Sequence, residues 1–148
     1  LPNIRWLLAT ITWVHRWIFQ TSRGRLGGRA LGLRFLLLEN VGRHSGRLYL
    51  TPLLYLEDPE ANGLVVVASN AGDSRNPEWL ANLHARPDDV AVQVVRRRLP
   101  VRFRVTRDAE RERLWQRLCG VYPFYRRYQR RAGRPIPVLV LHPLPEAQ

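Results

Sequence analysis

The feature that most constrains this chain is a series of short apolar stretches separated by gaps of hairpin length. They lie near residues 33–40, 48–57 and 63–69, each bounded by turn residues, and two more follow near 90–95 and 98–106. Stretches of this length and spacing read as strands joined by tight turns. In the last of them Val101, Phe103 and Val105 alternate with Arg102 and Arg104, giving one apolar and one wet face, as in an antiparallel sheet. Asn76 and Pro77 supply an N-cap and a first helical residue for a crossover helix near 77–86, which Pro87 stops. Helices are expected near 108–119 and, after a break before Pro123, near 123–132, with a last strand through Val138, Val140 and His142. The sum is a mainly β fold with flanking helices, its mostly antiparallel sheet curled into a barrel. A chain of 148 residues has room for one such domain.

Ahead of the strands, Ile4 to Phe19 reads as an amphipathic helix, with Arg5, Ala9, Thr12, Arg16 and Gln20 on a narrow polar stripe. Trp6, Trp13 and Trp17 fall within about 40° of one another beside it. Two readings stay open: packing on its own domain or on a twin subunit, or resting on a membrane surface or closing over a ligand. Arg5, His15 and Arg16 interrupt the stretch, a poor match to a membrane span or a signal segment. The expected location is the cytoplasm, with a peripheral place on the inner membrane face if the helix binds lipid. Residues 1–30 are thus read as helix and connector, 31–143 as the barrel domain and 144–148 as a tail. The chain has no methionine, so residues upstream of Leu1 are expected to have been removed or left out.

The 24 basic residues are all arginine and outnumber 12 acidic ones, giving a formal charge of +12. That balance suits an anionic partner: nucleotide, nucleic acid, acidic lipid or acidic cofactor. Cys119 is the only cysteine, which excludes an intrachain disulfide and a cysteine zinc cluster, and it falls in an apolar helical pattern that suits burial. His15, His44, His84 and His142 lack the spacing of a helical metal site, and no metal is expected.

Three segments could carry chemistry. Gly42 to Arg47 (GRHSGR) joins two strands; glycines at both ends would let backbone N–H groups face one point, beside Arg43, Arg47, the Ser45 hydroxyl and His44. Such a loop holds phosphate or carboxylate, or is an ordinary solvated turn. Ser69 to Trp79 passes from a strand end to a helix start, where backbone donors and the positive helix end could meet a planar anion, or merely cap the helix. Tyr125 and Tyr128, at i and i+3, would line one wall of a pocket with Tyr122 near, or serve packing alone. Arg127, Arg130, Arg131 and Arg134 fall on another face of that helix. No nucleophile–base–acid set, carboxylate pair, HExxH or GxSxG is present, so any catalysis would rest on a bound cofactor.

Taken in order, GRHSGR at 42–47, TPLLYL at 51–56, VVVASNAG at 65–72, NPEWLANL at 76–83, VYPFYRRYQ at 121–129 and IPVLVL at 136–141 resemble the deazaflavin-dependent nitroreductase family. The resemblance spans nearly everything after residue 30. It implies a split β-barrel of the FMN-binding type, coenzyme F420 as cofactor, and hydride transfer to a small-molecule acceptor: a nitro compound, a quinone or a similar conjugated molecule.

Carried over by position, the resemblance implies that Arg43, His44 and Ser45 contact the phosphate and acidic tail of the cofactor, with Arg47 as a further cation. Tyr49, Leu50, Thr51, Pro52, Leu53 and Leu54 would run along the deazaflavin. Val67, Ala68, Ser69 and Asn70 would meet its rings, as would Glu78, Trp79, Leu80, Ala81 and Asn82. Tyr125 would approach the reacting face, Tyr122 and Tyr128 would form the substrate wall, and Ser69 or a tyrosine would polarise the acceptor. His44 stands where the family usually has lysine and Tyr49 where arginine is common, so two cationic contacts are missing.

Two rival classes remain from sequence. A split barrel can instead carry flavin (FMN is the alternative cofactor), haem, another tetrapyrrole or lipid without catalysis. A basic nucleic-acid binder could use Arg96 to Arg107 and the last helix, but no recognition motif supports it. A homodimer is the assembly considered.

Overall fold

In the computed structural model the structure describes residues 33–145. The chain divides into two units, Leu1–Arg34 and Phe35–Gln148. The expected N-terminal helix, its membrane contact and the last residues of the tail therefore lie outside the described residues.

Six strands close a barrel in the order β1-β2-β3-β6-β5-β4. They are β1 (Arg34–Val41), β2 (Leu48–Asp58), β3 (Gly63–Val67), β4 (Ala91–Val94), β5 (Arg97–Val105) and β6 (Val138–Pro143). Among the described residues the helices are α1 (Glu78–Ala85), α2 (Asp108–Val121) and α3 (Phe124–Ala132), and a 3-10 turn covers Asn70–Gly72. Both the expected barrel and its helices are present. The third strand ends at Val67 rather than near residue 69, because Asn70 and Ala71 turn into left-handed backbone (φ 47° and 53°).

Closure depends on β5, which serves two neighbours in turn. Arg97 to Pro100 pair antiparallel with β4, and Val101 to Val105 pair antiparallel with β6. The strand changes partner at Pro100, where a missing N–H costs the ladder least.

The interior follows from the two-residue period of a strand. Leu36 and Leu38, Leu64 and Val66, Val90 and Val92, Val101, and Leu139 and Leu141 share one core cluster. In β3 and β6 the residues between them, Val65, Val67, Val138 and Val140, are buried as well. Strands covered on both faces read as continuous apolar runs, as Leu64–Val67 and Val138–Leu141 do. α2 packs against β6 and buries Leu114, Trp115, Leu118 and Cys119. In β5 the expected alternation fails at its end: Val105 is 37% exposed, whereas Arg104 is half-buried by its bidentate pairing with Glu110.

A buried carboxylate fastens α2 to the β2–β3 turn. Asp58 accepts bonds from Arg113 (2.9 and 3.0 Å), from Arg117 and from the Ala61 backbone N–H (2.7 Å). Among the described residues no helix is long and apolar enough to cross a membrane.

Candidate functional site

The turn between β1 and β2 closes on itself. The Gly42 N–H donates to the Arg47 carbonyl and the Gly46 N–H to the Gly42 carbonyl, both at 2.8 Å, and the Arg47 N–H donates to Ser45 Oγ at 3.2 Å. A side chain at Gly42 would stand 2.5 Å from Ser45 Oγ and 2.8 Å from the Tyr49 ring, so any larger residue would push one or both of these side chains aside. This narrows the expected convergence of N–H groups. Three of the turn's six N–H groups, those of Gly42, Gly46 and Arg47, are spent inside it, Arg43 donates to Asn82, and the N–H groups of His44 and Ser45 make no such internal bond.

Arg43 leaves the turn and is held from α1. Its backbone N–H and Nη1 both donate to Asn82 Oδ1, at 3.2 and 2.9 Å, and Nη2 donates to Glu78 Oε2 at 2.7 Å. The Arg43 bond and charge keep the Glu78 carboxyl below the usual range. Asn82 is fixed in turn: its Nδ2 donates to Asn40 Oδ1 at 2.9 Å, and Asn40 Nδ2 donates to Thr51 Oγ1 at 3.3 Å. α1 can support this network because Trp79, Leu80 and Leu83, on its inner face, belong to the barrel core. Above the network opens a cleft of about 420 Å³, lined by residues of β1, β2 and their turn and by Glu78, Trp79 and Asn82 of α1.

The segment from Ser69 to Asn76 meets the tyrosine helix instead. Gly72 (φ 84°) lies so close to α3 that an added Cβ would sit 3.0 Å from the Tyr128 Cα. Arg134 folds back over the segment. Its Nε donates to the Asp73 carbonyl (3.1 Å), Nη1 to Asn76 Oδ1 (2.5 Å), and Nη2 to the carbonyls of Ser69 (3.3 Å) and Arg75 (3.0 Å). Two expectations are thereby corrected. Arg134 lies beyond the end of α3 and is not part of its charged face, and Asn76 does not cap α1, since its side-chain oxygen takes the Arg134 bond.

Tyr122 and Tyr128 hydroxyls stand 3.4 Å apart, and the Tyr125 ring packs on Tyr122 (5.0 Å), Trp115 (6.0 Å) and Tyr128 (6.3 Å). Burial, aided by the neighbouring phenol, pushes Tyr122 up to about 12 and carries Tyr125 above the usual tyrosine range. Both are neutral phenols near pH 7, able to donate hydrogen bonds but not to act as bases.

Of the sequence-predicted residues, the cleft brings together Arg43, His44, Ser45, Tyr49, Thr51, Glu78, Trp79 and Asn82. Leu50, Leu54, Val67, Ala68 and Leu80 are buried apolar residues, and Leu53 packs against the core. Arg47 and Asn70 are exposed, and Pro52, Ser69 and Ala81 are half-buried. Ser69, Asn70, Tyr122, Tyr125 and Tyr128 do not figure in the described lining. Asn40 does, and sequence reasoning missed it. A polar residue closing an otherwise apolar strand, Leu36-Leu37-Leu38-Glu39-Asn40, was the available signal.

Comparison with known proteins gives the following. The sequence profile of the F420H(2)-dependent quinone reductases matches residues 12–143. An F420H(2)-dependent quinone reductase of Mycobacterium tuberculosis is 38% identical over 136 residues, which cover 86% of this chain and 87% of that one. A solved F420-H2 dependent reductase (FDR-A) is similar with a TM-score of 0.65 at 33% identity, over 73% of this chain and 93% of the other. A further solved structure, described as a domain-swapped dimer, is similar with a TM-score of 0.66 at 28% identity, over 89% of this chain and 98% of the other.

Proposed function

We propose a reaction that follows from membership: this chain belongs to the F420H(2)-dependent quinone reductase family, and it transfers hydride from reduced F420 to a quinone. The observation that carries the reading is the convergence of Arg43, His44, Ser45, Tyr49 and Thr51 with Glu78, Trp79 and Asn82 around one cleft. Its volume of about 420 Å³ lies within the range of small-ligand sites, and its donors suit a flat molecule with an anionic handle.

When bound, F420 supplies the hydride, so the protein needs no nucleophile of its own. The chain's work is to bind, orient and exclude water. Arg43, steadied by Asn82, takes the phosphate; the His44 and Ser45 N–H groups and Arg47 add donors toward the tail. Thr51 and Trp79 flank the ring system, which Ser69 and Asn70 meet from the strand end. Ser69 and Tyr125 are the residues we assign to the acceptor oxygen, as hydrogen-bond donors where negative charge develops. Tyr122 and Tyr128 form the acceptor wall, and nitro compounds belong to the same acceptor class. A homodimer is the proposed assembly, supported by the dimeric relative. A peripheral membrane contact through the Trp6, Trp13 and Trp17 flank is part of the proposal, and vesicle sedimentation tests it.

Fluorescence titration with oxidised F420 and, separately, with FMN tests the cofactor. Arg43→Ala is expected to weaken F420 binding by more than about tenfold, the loss of a charged hydrogen bond. Oxidation of reduced F420 by a naphthoquinone tests the reaction. Tight binding of FMN alone, or an Arg43→Ala protein with unaltered affinity, would overturn the assignment.

A further inference from the structure

We propose that Glu78 is a built-in competitor for the anion that Arg43 binds, and that it thereby determines which anions the cleft accepts. The inference rests on the reading of this cleft as an anion-holding cofactor site.

Two side chains hold the Arg43 guanidinium, and they differ in kind. Asn82 is neutral, 6% exposed and itself pinned by Asn40, so its bond to Nη1 is a fixed part of the wall. Glu78 is charged, its side chain is 82% exposed, and its hydrogen bond is the one to Nη2 of Arg43. A carboxylate this exposed exchanges partners readily, and its ion pair with Arg43, whose side chain is 28% exposed, is weakened by water on the Glu78 side. The Asn82 contact therefore sets where the guanidinium sits, and the Glu78 contact fills the place that an incoming oxyanion needs.

The consequence is selectivity. A small anion that meets Arg43 must displace Glu78 or share the guanidinium with it, and exchanging one anionic oxygen for another gains little. A ligand that adds contacts elsewhere in the cleft, at the His44 and Ser45 N–H groups or against Tyr49 and Trp79, has the surplus needed to complete the exchange. Glu78 thus keeps Arg43 occupied against bulk anions and yields it to a multidentate phosphate ester. Where it now stands, the Glu78 carboxylate also feels the positive charge of Arg75.

The test uses the full chain and its Glu78→Gln, Glu78→Ala and Arg43→Ala variants. Inorganic phosphate is titrated while the backbone amides of Gly42 to Arg47 are followed by NMR, and oxidised F420 is titrated by fluorescence. Both Glu78 variants are expected to bind phosphate about two- to fivefold more tightly than the parent, as expected for release of an exposed ion pair. F420 should gain by a smaller factor, and Arg43→Ala should abolish the phosphate response. Unchanged or weaker phosphate binding in both Glu78 variants overturns the proposal, since Glu78 would then be orienting Arg43 rather than competing for it. So does a parent and variant set that shows no phosphate response at these amides. If phosphate behaves as expected but F420 binds to none of the proteins, the competitor role stands and the cofactor assignment fails.

Discussion

Asn82 donates a 2.9 Å hydrogen bond from Nδ2 to Oδ1 of Asn40, joining α1 to β1 across 42 positions of sequence, and both amides are buried. Beyond this pair, the network runs to Thr51 on one side and to Arg43 on the other. Replacing Asn40 by alanine removes an acceptor from a buried donor, which costs about 1–3 kcal/mol when nothing takes its place. Asn40→Ala is therefore expected to lower the urea midpoint and, because Asn82 loses its anchor, to weaken F420 binding although Asn40 is not itself a charged contact. A variant with the lowered midpoint but parental F420 affinity would mean that the network is structural only.

Asp58 offers a stability prediction with a defined sign. Hydrogen bonds from Arg113, then from the Ala61 N–H and Arg117, outweigh burial and hold its carboxyl far below the ordinary carboxylate range. The unfolded chain binds that proton near pH 4 and the folded chain only at lower pH. Stability from Asp58 is thus complete above about pH 5 and declines as the pH falls through 4 and below. Asp58→Asn should cost about 2 kcal/mol at neutral pH, discounted for the partly exposed arginines, and should flatten the acid limb of a urea midpoint against pH. An acid limb as steep as the parent's would assign it to other carboxylates.

At Gly72 the constraint is both conformational and steric. Its φ of 84° is costly for any residue with a Cβ, and that Cβ would press on the Tyr128 backbone at 3.0 and 3.3 Å. Gly72→Ala is expected to destabilise by about 1–3 kcal/mol. Hydrogen exchange should localise the damage, with faster exchange at residues 70–76 and in α3 and parental exchange in β1 and α1. Uniform loss of protection would show that the segment and the barrel unfold as one.

Much of this architecture was legible in the sequence, for reasons that also mark where legibility ends. Strand and helix periods are local, and turns declare themselves through Gly, Pro and Asn, so the six strands and three helices fall where the pattern puts them to within a few residues. The Gly42–Arg47 motif and the Asn76–Leu83 motif marked Arg43, Glu78 and Asn82, but not that one guanidinium bridges the last two. Asn40 showed only as a polar residue late in an apolar strand, and its role stayed unread because that role is a pairing with a residue far along the chain. Arg134 looked like one more surface charge, since a charge run says nothing of where a long side chain folds back. The convergence of donors expected of the turn at Gly42 is met only in part for a physical reason: a tight turn consumes some of its own N–H groups, here those of Gly42, Gly46 and Arg47, and leaves those of His44 and Ser45.

The chain's want of lysine makes its tyrosines unusually open to measurement. Between about pH 9 and 12 a protein ordinarily titrates lysine and tyrosine together. Here the sequence holds five tyrosines and no lysine, so phenols dominate proton release in that interval. Desolvation, with the Tyr128 hydroxyl adding to it, raises Tyr122 to about 12, and burial raises Tyr125 further. Unfolded tyrosine loses its proton near pH 10, so the folded chain retains these protons over an interval in which the unfolded chain has released them. Stability is therefore fully present below about pH 10 and is lost progressively as the pH climbs toward 12 and beyond. Phenolate absorbance should show a late phase that Tyr122→Phe diminishes, and the alkaline fall of the urea midpoint should be shallower in that variant. Should every phenol ionise near pH 10 without loss of structure, the Tyr122–Tyr125–Tyr128 cluster would be open to water, and the wall assigned to the acceptor would not exclude solvent.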